Sequence, residues 1–339
     1  MAHNPGHSFV RDFALDVQAA SVLGSLQMEL VDRDIAVTRL QKNNKRRVHW
    51  EKEWVGVVRA GFQAMQTTPK PTLWGRNDPE LLREVENLRC APDRLKVGLV
   101  LLELATFDAY WPMEKCQKEF KGLSLDKGTH KEFLRSASTR LGFPETRAME
   151  LRDEVRTALR SISGYNVKLA IGVLAGLGLG ALTLGLAAPF IGGLVGGAVG
   201  LHGAAAMTYG LAALGGGAVA AGGYGMAGGT VALVGGGAIL GLGAGGTVGW
   251  AAAGMTAEST LLSAAKLEVV LKEFILHGQK DIGKVQEILL AQRRSIQALE
   301  EELDKLNSAS EKSDDRIKVL ESSINILRKA LERNQGLLR

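Results

Sequence analysis

Apolar residues recur three and four positions apart through most of the first 165 residues. Phe9, Phe13, Val17, Ala20 and Leu23, continued by Leu26 and Leu30, fall on one face of a first helix. Trp50, Trp54, Val57, Val58 and Phe62 repeat the pattern over 48–65, and Pro69 and Pro71 end it. Asp78, Pro79 and Glu80 combine a capping side chain, a first-turn proline and a first-turn acid, so a helix starts there and runs to about Cys90. Pro92 opens the helix 95–107. There Val97, Leu99, Val100, Leu101, Leu102 and Leu104 are apolar nearly all round, which predicts a central place in the core. Pro144 and Glu145 start another helix through Met149, Leu151, Val155 and Leu159. No alternating pattern competes, and the expectation for 1–165 is a cytosolic helical domain that senses a signal or binds a protein partner.

The last 82 residues carry a different period. Counting alternately by three and four from Ile282 meets Val285, Leu289, Gln292, Ile296, Leu299, Leu303, Leu306, Ser310, Ser313, Ile317, Leu320, Ile324, Leu327, Leu331, Asn334 and Leu338. Thirteen of these seventeen positions are apolar, which predicts a coiled-coil oligomerisation region over 258–339. Gln292, Ser310, Ser313 and Asn334 form polar layers able to fix register or oligomer number. The phase continues through the polar run 307–316, which favours a continuous rod over a hairpin folded back there.

Between these parts lies a stretch, 169–257, without one Asp, Glu, Lys or Arg, and 29 of the chain's 42 glycines fall in it. Its length suits two to four membrane spans, with breaks at Pro189 and at the glycine clusters 215–217 and 235–237. Gly172, Gly176 and Gly180 are spaced by four, as are Gly192, Gly196 and Gly200, and Gly241, Gly245 and Gly249. In lipid, helices associate by close backbone approach, which small residues on every fourth position permit, so the stripes are read as packing seams. In water the same glycines would cost about 1 kcal/mol each relative to alanine. The segment 166–257 is therefore expected to insert into membrane. Constitutive and conditional insertion, the latter from a protein soluble before activation, both remain open.

Charge and candidate chemistry narrow the function. Net charge is +5; 258–339 holds 14 basic and 14 acidic residues, leaving 27 and 22 before it. The densest basic piece, Lys42, Lys45, Arg46 and Arg47, is read as a solvated helix end, and no nucleic-acid binding is expected. Cys90 and Cys116 suit neither a disulfide framework nor a metal site and are read as reduced, partly buried thiols. His3, His7, His49 and His130 are scattered, Asp108 reads as a surface carboxylate, and His202 as a histidine satisfied at a helix interface. No serine elbow, phosphate loop or metal spacing occurs, so neither enzyme activity nor a cofactor is expected.

The run GALTLGLAAPFIGG at 180–193, preceded by the helical stretch 133–159, resembles the glycine-rich membrane segment of the transmembrane and coiled-coil lipase-like family, over about a third of the chain. The resemblance implies membrane insertion preceded by a helical domain. That family continues into an α/β-hydrolase domain with a serine elbow, whereas here a heptad region follows, so hydrolase activity does not carry over. The whole is expected to be all-α: a cytosolic helical domain, a glycine-zipper transmembrane bundle and a coiled coil. The matching function is a membrane-inserting homo-oligomer that perturbs or permeabilises a lipid bilayer, of toxin or antiviral-defence type. The alternative is a membrane-anchored scaffold or tether recruiting partners. Both termini are expected in the cytosol, at an inner or plasma membrane, because no export signal opens the chain.

Overall fold

A computed structural model of the protein describes residues 15–39, 42–64, 71–107, 109–110, 117–163, 257–308 and 314–339. All regular structure among them is helical. The glycine stripes, Pro189, His202, Asp108 and Cys116 lie outside the described residues.

Helix α1, Val17–Val37, starts where the Asp16 carboxylate accepts from the Ala19 amide. After α2, Asn44–Ala64, helix α3 spans Pro79–Arg89 and is capped by Asp78 with Pro79 in its first turn, as its sequence predicts. Helix α4, Arg94–Thr106, takes its cap from Asp93, one residue past Pro92. It is the most enclosed helix of this half, with Val97 to Ala105 all buried. The four-residue α5, Gln117–Phe120, leads to α6, Lys127–Arg140, which Asp126 caps. Gly142, at φ +76°, supplies the left-handed residue that ends α6, and α7 follows over Arg147–Ser163.

The chain is described again from α8, Ala257–Val269, which passes directly into a π-helical stretch, Val270–Gln279. Lys280, at φ +57°, stops it. Helices α9, Ile282–Ser308, and α10, Asp314–Gly336, complete the fold. Arg147 in the first turn of α7 reaches Glu273 beyond the end of α8 at 2.8 Å, so α7 and α8 run antiparallel. The last turn of α7 and the first turn of α8 therefore lie at one end of the body. These are the two roots of residues 164–256.

One core crosses this gap in the sequence. Leu23, Leu26, Val97, Leu101 and Ile162 belong to the same buried cluster as Leu261, Ala265, Val270, Ile275, Val285 and Ala330. Helix α8 packs most extensively on α7 and α10.

Helices α9 and α10 differ from the expected rod. They fold back antiparallel: Arg328 on α10 donates to Glu300 on α9 at 2.7 Å, and the two polar layers Gln292 and Asn334 meet at 3.2 Å. Val285, Leu289, Ile296, Leu299, Leu320, Ile324 and Leu327 are buried, and Leu303, Leu306, Ile317 and Leu331 half-buried. Ile282, the first seam position, is 57% exposed. Folding each half of the stripe onto the other buries the same residues that a second chain would cover. It also lets Ile326 and Ala330, on a second face of α10, enter the main core, where a rod would leave them in water.

Candidate functional site: the roots of the glycine-rich stretch

Helix α8 follows the uncharged stretch directly, yet it forms a spine of the body. Leu261, Ala264, Ala265, Leu267 and Val269 are buried on more than one side, which leaves little surface for its charged residues. Lys266 is 2% exposed, and its ammonium lies 2.9 Å from Glu103 of α4, itself 1% exposed. Burial pushes Lys266 below its ordinary pKa, while the Glu103 carboxylate pulls it back up. Removing Glu103 would leave the buried Lys266 ammonium uncompensated, at about 3–5 kcal/mol.

Three further contacts surround α8. Thr260 and Ser323 of α10 lie 3.2 Å apart, both buried, and Arg333 of α10 donates to Glu268 at 2.8 Å. At the far end Arg147 and Lys272 converge on Glu273, at 2.8 and 3.0 Å. Burial acts to raise the Glu273 carboxyl, but hydrogen bonds from Arg147 and Lys272 outweigh it and hold the pKa below the usual value. Phe274 packs against α4 at Gly98, where an added Cβ would come 2.3 Å from the ring. Gly98 is tolerated inside a helix because this approach requires it.

A second buried charge lies across the body. Asp34, fully buried, accepts from the Tyr110 hydroxyl and the Asp126 amide at 2.6 Å each, and Arg47 pairs with it at 3.1 Å. The Tyr110 ring stands edge-on to Trp50, which stacks on Trp54. Burial and the Asp34 bond push the Tyr110 phenol upward, and its backbone is held left-handed at φ +69°. The basic run around it is a solvated helix end only at Lys42 and Lys45, which are exposed. Arg47 turns inward to Asp34 and donates to the Ser124 carbonyl, while Arg46 donates to the carbonyls of Glu119 and Lys121.

The other candidate residues play smaller parts. His130 is buried against Arg152, and burial, then the positive charge of Arg152, pushes its pKa down to about 3. Cys90 is exposed rather than partly buried, and the hydrogen bond to Glu86 raises its thiol. Among the described residues no group of His, Cys, Asp or Glu is placed to hold a metal ion, and no helix is long and apolar enough to cross a membrane.

From sequence, Lys266 reads only as one of the positive charges flanking the uncharged stretch on its cytosolic side, and Glu103 carries no reading; the structure buries the two against each other. A signal was present: Glu103 is the one charged residue in the run VGLVLLELA, and Lys266 interrupts LLSAAKL. Nothing local pairs them across 163 positions. The chain matches no protein-family model, no curated protein and no solved structure.

Proposed function

We propose that the protein inserts the 166–257 segment into a lipid bilayer, assembles with copies of itself there, and perturbs or permeabilises the membrane in the manner of a toxin or antiviral-defence effector. The observation that carries this reading is the sequence of 169–257: no charged side chain, and three stripes of glycine at helical spacing. The resemblance of 180–193 to a glycine-rich membrane segment supports it. So does the placement of both roots at one end of a helical body, which lets a membrane be approached from a single side.

The heptad seam is occupied within the chain, so self-association is assigned to the stripes Gly172–Gly180, Gly192–Gly200 and Gly241–Gly249. The body, with both termini, stays on the cytosolic face of an inner or plasma membrane. The test is leakage of trapped dye from phosphatidylethanolamine–phosphatidylglycerol vesicles, comparing the native protein with a variant carrying Gly192→Ile, Gly196→Ile and Gly200→Ile. The variant is more apolar, so a simple anchor would bind as well or better. A packing seam should fail, losing about 1 kcal/mol or more of association, and leakage with it. Binding by both proteins with leakage from neither would point to the tether instead.

A further inference from the structure

Helix α8 begins at Ala257, the first described residue after the glycine-rich stretch. A helix is stiff over this length: Lys266 lies nine residues along α8, about 14 Å from its start. Any displacement of the stretch toward a bilayer therefore acts along α8 as a lever, and the first deeply buried charge it meets is Lys266. Its partner Glu103 belongs to α4, the central helix of the N-terminal half, which packs on α1, α6 and α7. The joint thus connects the part read as a sensor to the root of the part read as membrane-active.

We propose that the Glu103–Lys266 pair, with the Gly98–Phe274 contact beside it, is an autoinhibitory joint that holds both roots of the glycine-rich stretch in the helical body until a change in the N-terminal half opens it. This inference rests on the membrane reading above. Three features carry it. The pair is buried on both sides, so it is costly to break and cannot be relieved by solvent. It bridges regions separated by the stretch itself. The π-helical segment that supports Phe274 is a rare geometry, held by Arg147 and Lys272 at Glu273 and by the absence of a Cβ at Gly98.

Buried ion pairs offer a test in which two perturbations of the same site act in opposite directions. Glu103→Met alone leaves Lys266 a buried charge unmatched, Lys266→Met takes from Glu103 its opposite charge, and either opens the joint, whereas both together replace the pair with apolar packing and close it. Gly98→Leu drives a wedge against Phe274 and opens the joint without touching a charge.

The full-length variants are compared by amide hydrogen exchange over 257–279, by flotation with phosphatidylethanolamine–phosphatidylglycerol vesicles and by dye leakage from them. The two single methionine variants and Gly98→Leu should exchange and leak about tenfold faster than the native protein, or more. The double methionine variant should match the native protein or fall below it in both. Simple misfolding cannot give that reversal. Faster exchange in the single variants with native-level leakage, or with leakage lost, would overturn the joint while leaving the membrane reading intact. If neither the native protein nor any variant floats or leaks, the membrane reading falls and the joint with it.

Discussion

Asp34 and Lys266 are both buried charges met by an opposite charge, but they are supplied in different ways. Among the described residues, the groups that meet the Asp34 carboxylate, Arg47, Tyr110 and the Asp126 amide, come from the chain before residue 127. Lys266 and the residues around it, from Thr260 on α8 to Glu273 just beyond it, are held from both sides of 164–256: by Glu103 and Arg147 before it and by Ser323 and Arg333 after it. The first arrangement can be completed by the N-terminal half alone. The second exists only when the two halves meet, so it is where the state of one half can be felt by the other.

Removing 282–339 should separate the two regions most sharply. The deletion strips Ser323, Arg333 and the apolar cover of Ile326 and Ala330 from α8, while Arg47, Tyr110 and Asp126 remain. Near-ultraviolet circular dichroism from Trp50, Trp54 and Tyr110 should persist as amide protection over 257–269 disappears. A coil that served only to oligomerise would leave that protection untouched. Next in size, Asp34→Ala takes the opposite charge from Arg47 and the acceptor from the Tyr110 hydroxyl and the Asp126 amide. It should cost about 3–5 kcal/mol in urea unfolding and abolish the aromatic signal.

Gln292→Leu with Asn334→Leu acts on the hairpin that braces α8. Replacing the buried polar layer should raise stability by about 1–2 kcal/mol in urea unfolding while loosening the choice of register, readable as broadened spectra. The smallest effect is a pH dependence within the Asp34 region. Burial, then the hydrogen bond with Asp32, raises Glu51 from its ordinary 4.5 to about 8, so the folded state holds a proton that the unfolded chain has lost. That contribution is complete below pH 4.5 and declines as pH rises toward 8. Between pH 7 and 8, where His130 is neutral in the folded state and mostly neutral in the unfolded chain, Tm should fall by about 1–3 °C, and Glu51→Gln should flatten the slope.

Local signals were readable where one residue type fixes the backbone. Asp78 with Pro79 marked the start of α3, and the apolar run at 97–104 marked α4 as central, because capping and enclosure are decided within a few residues. Helix α6 stood out less, since Phe133, Leu134 and Ala137 are its only buried apolar positions. The heptad period identified Leu299, Leu320, Ile324 and Leu327 as buried, and they are. Period states which side of a helix leaves water, and says nothing about what covers it, so a rod and a hairpin read alike. The pairing of Glu103 with Lys266 is decided entirely by tertiary packing. The glycine stripes lie outside the described residues, so the body bears on them only through their roots.

The antiparallel placement of α7 and α8 has a consequence for how such a chain can diversify. The 93 residues between Ser163 and Ala257 connect two helices that both pack in the body. The entropy of closing a loop grows only with the logarithm of its length, so halving or doubling the insert changes the cost by about 0.6 kcal/mol. As far as the stability of the body is concerned, the length of the insert is then nearly free to vary, whereas Ile162 and Leu261, at the junctions, are not. The body works as a socket, and related chains should differ far more in what is plugged into it than in the two helices that grip the ends.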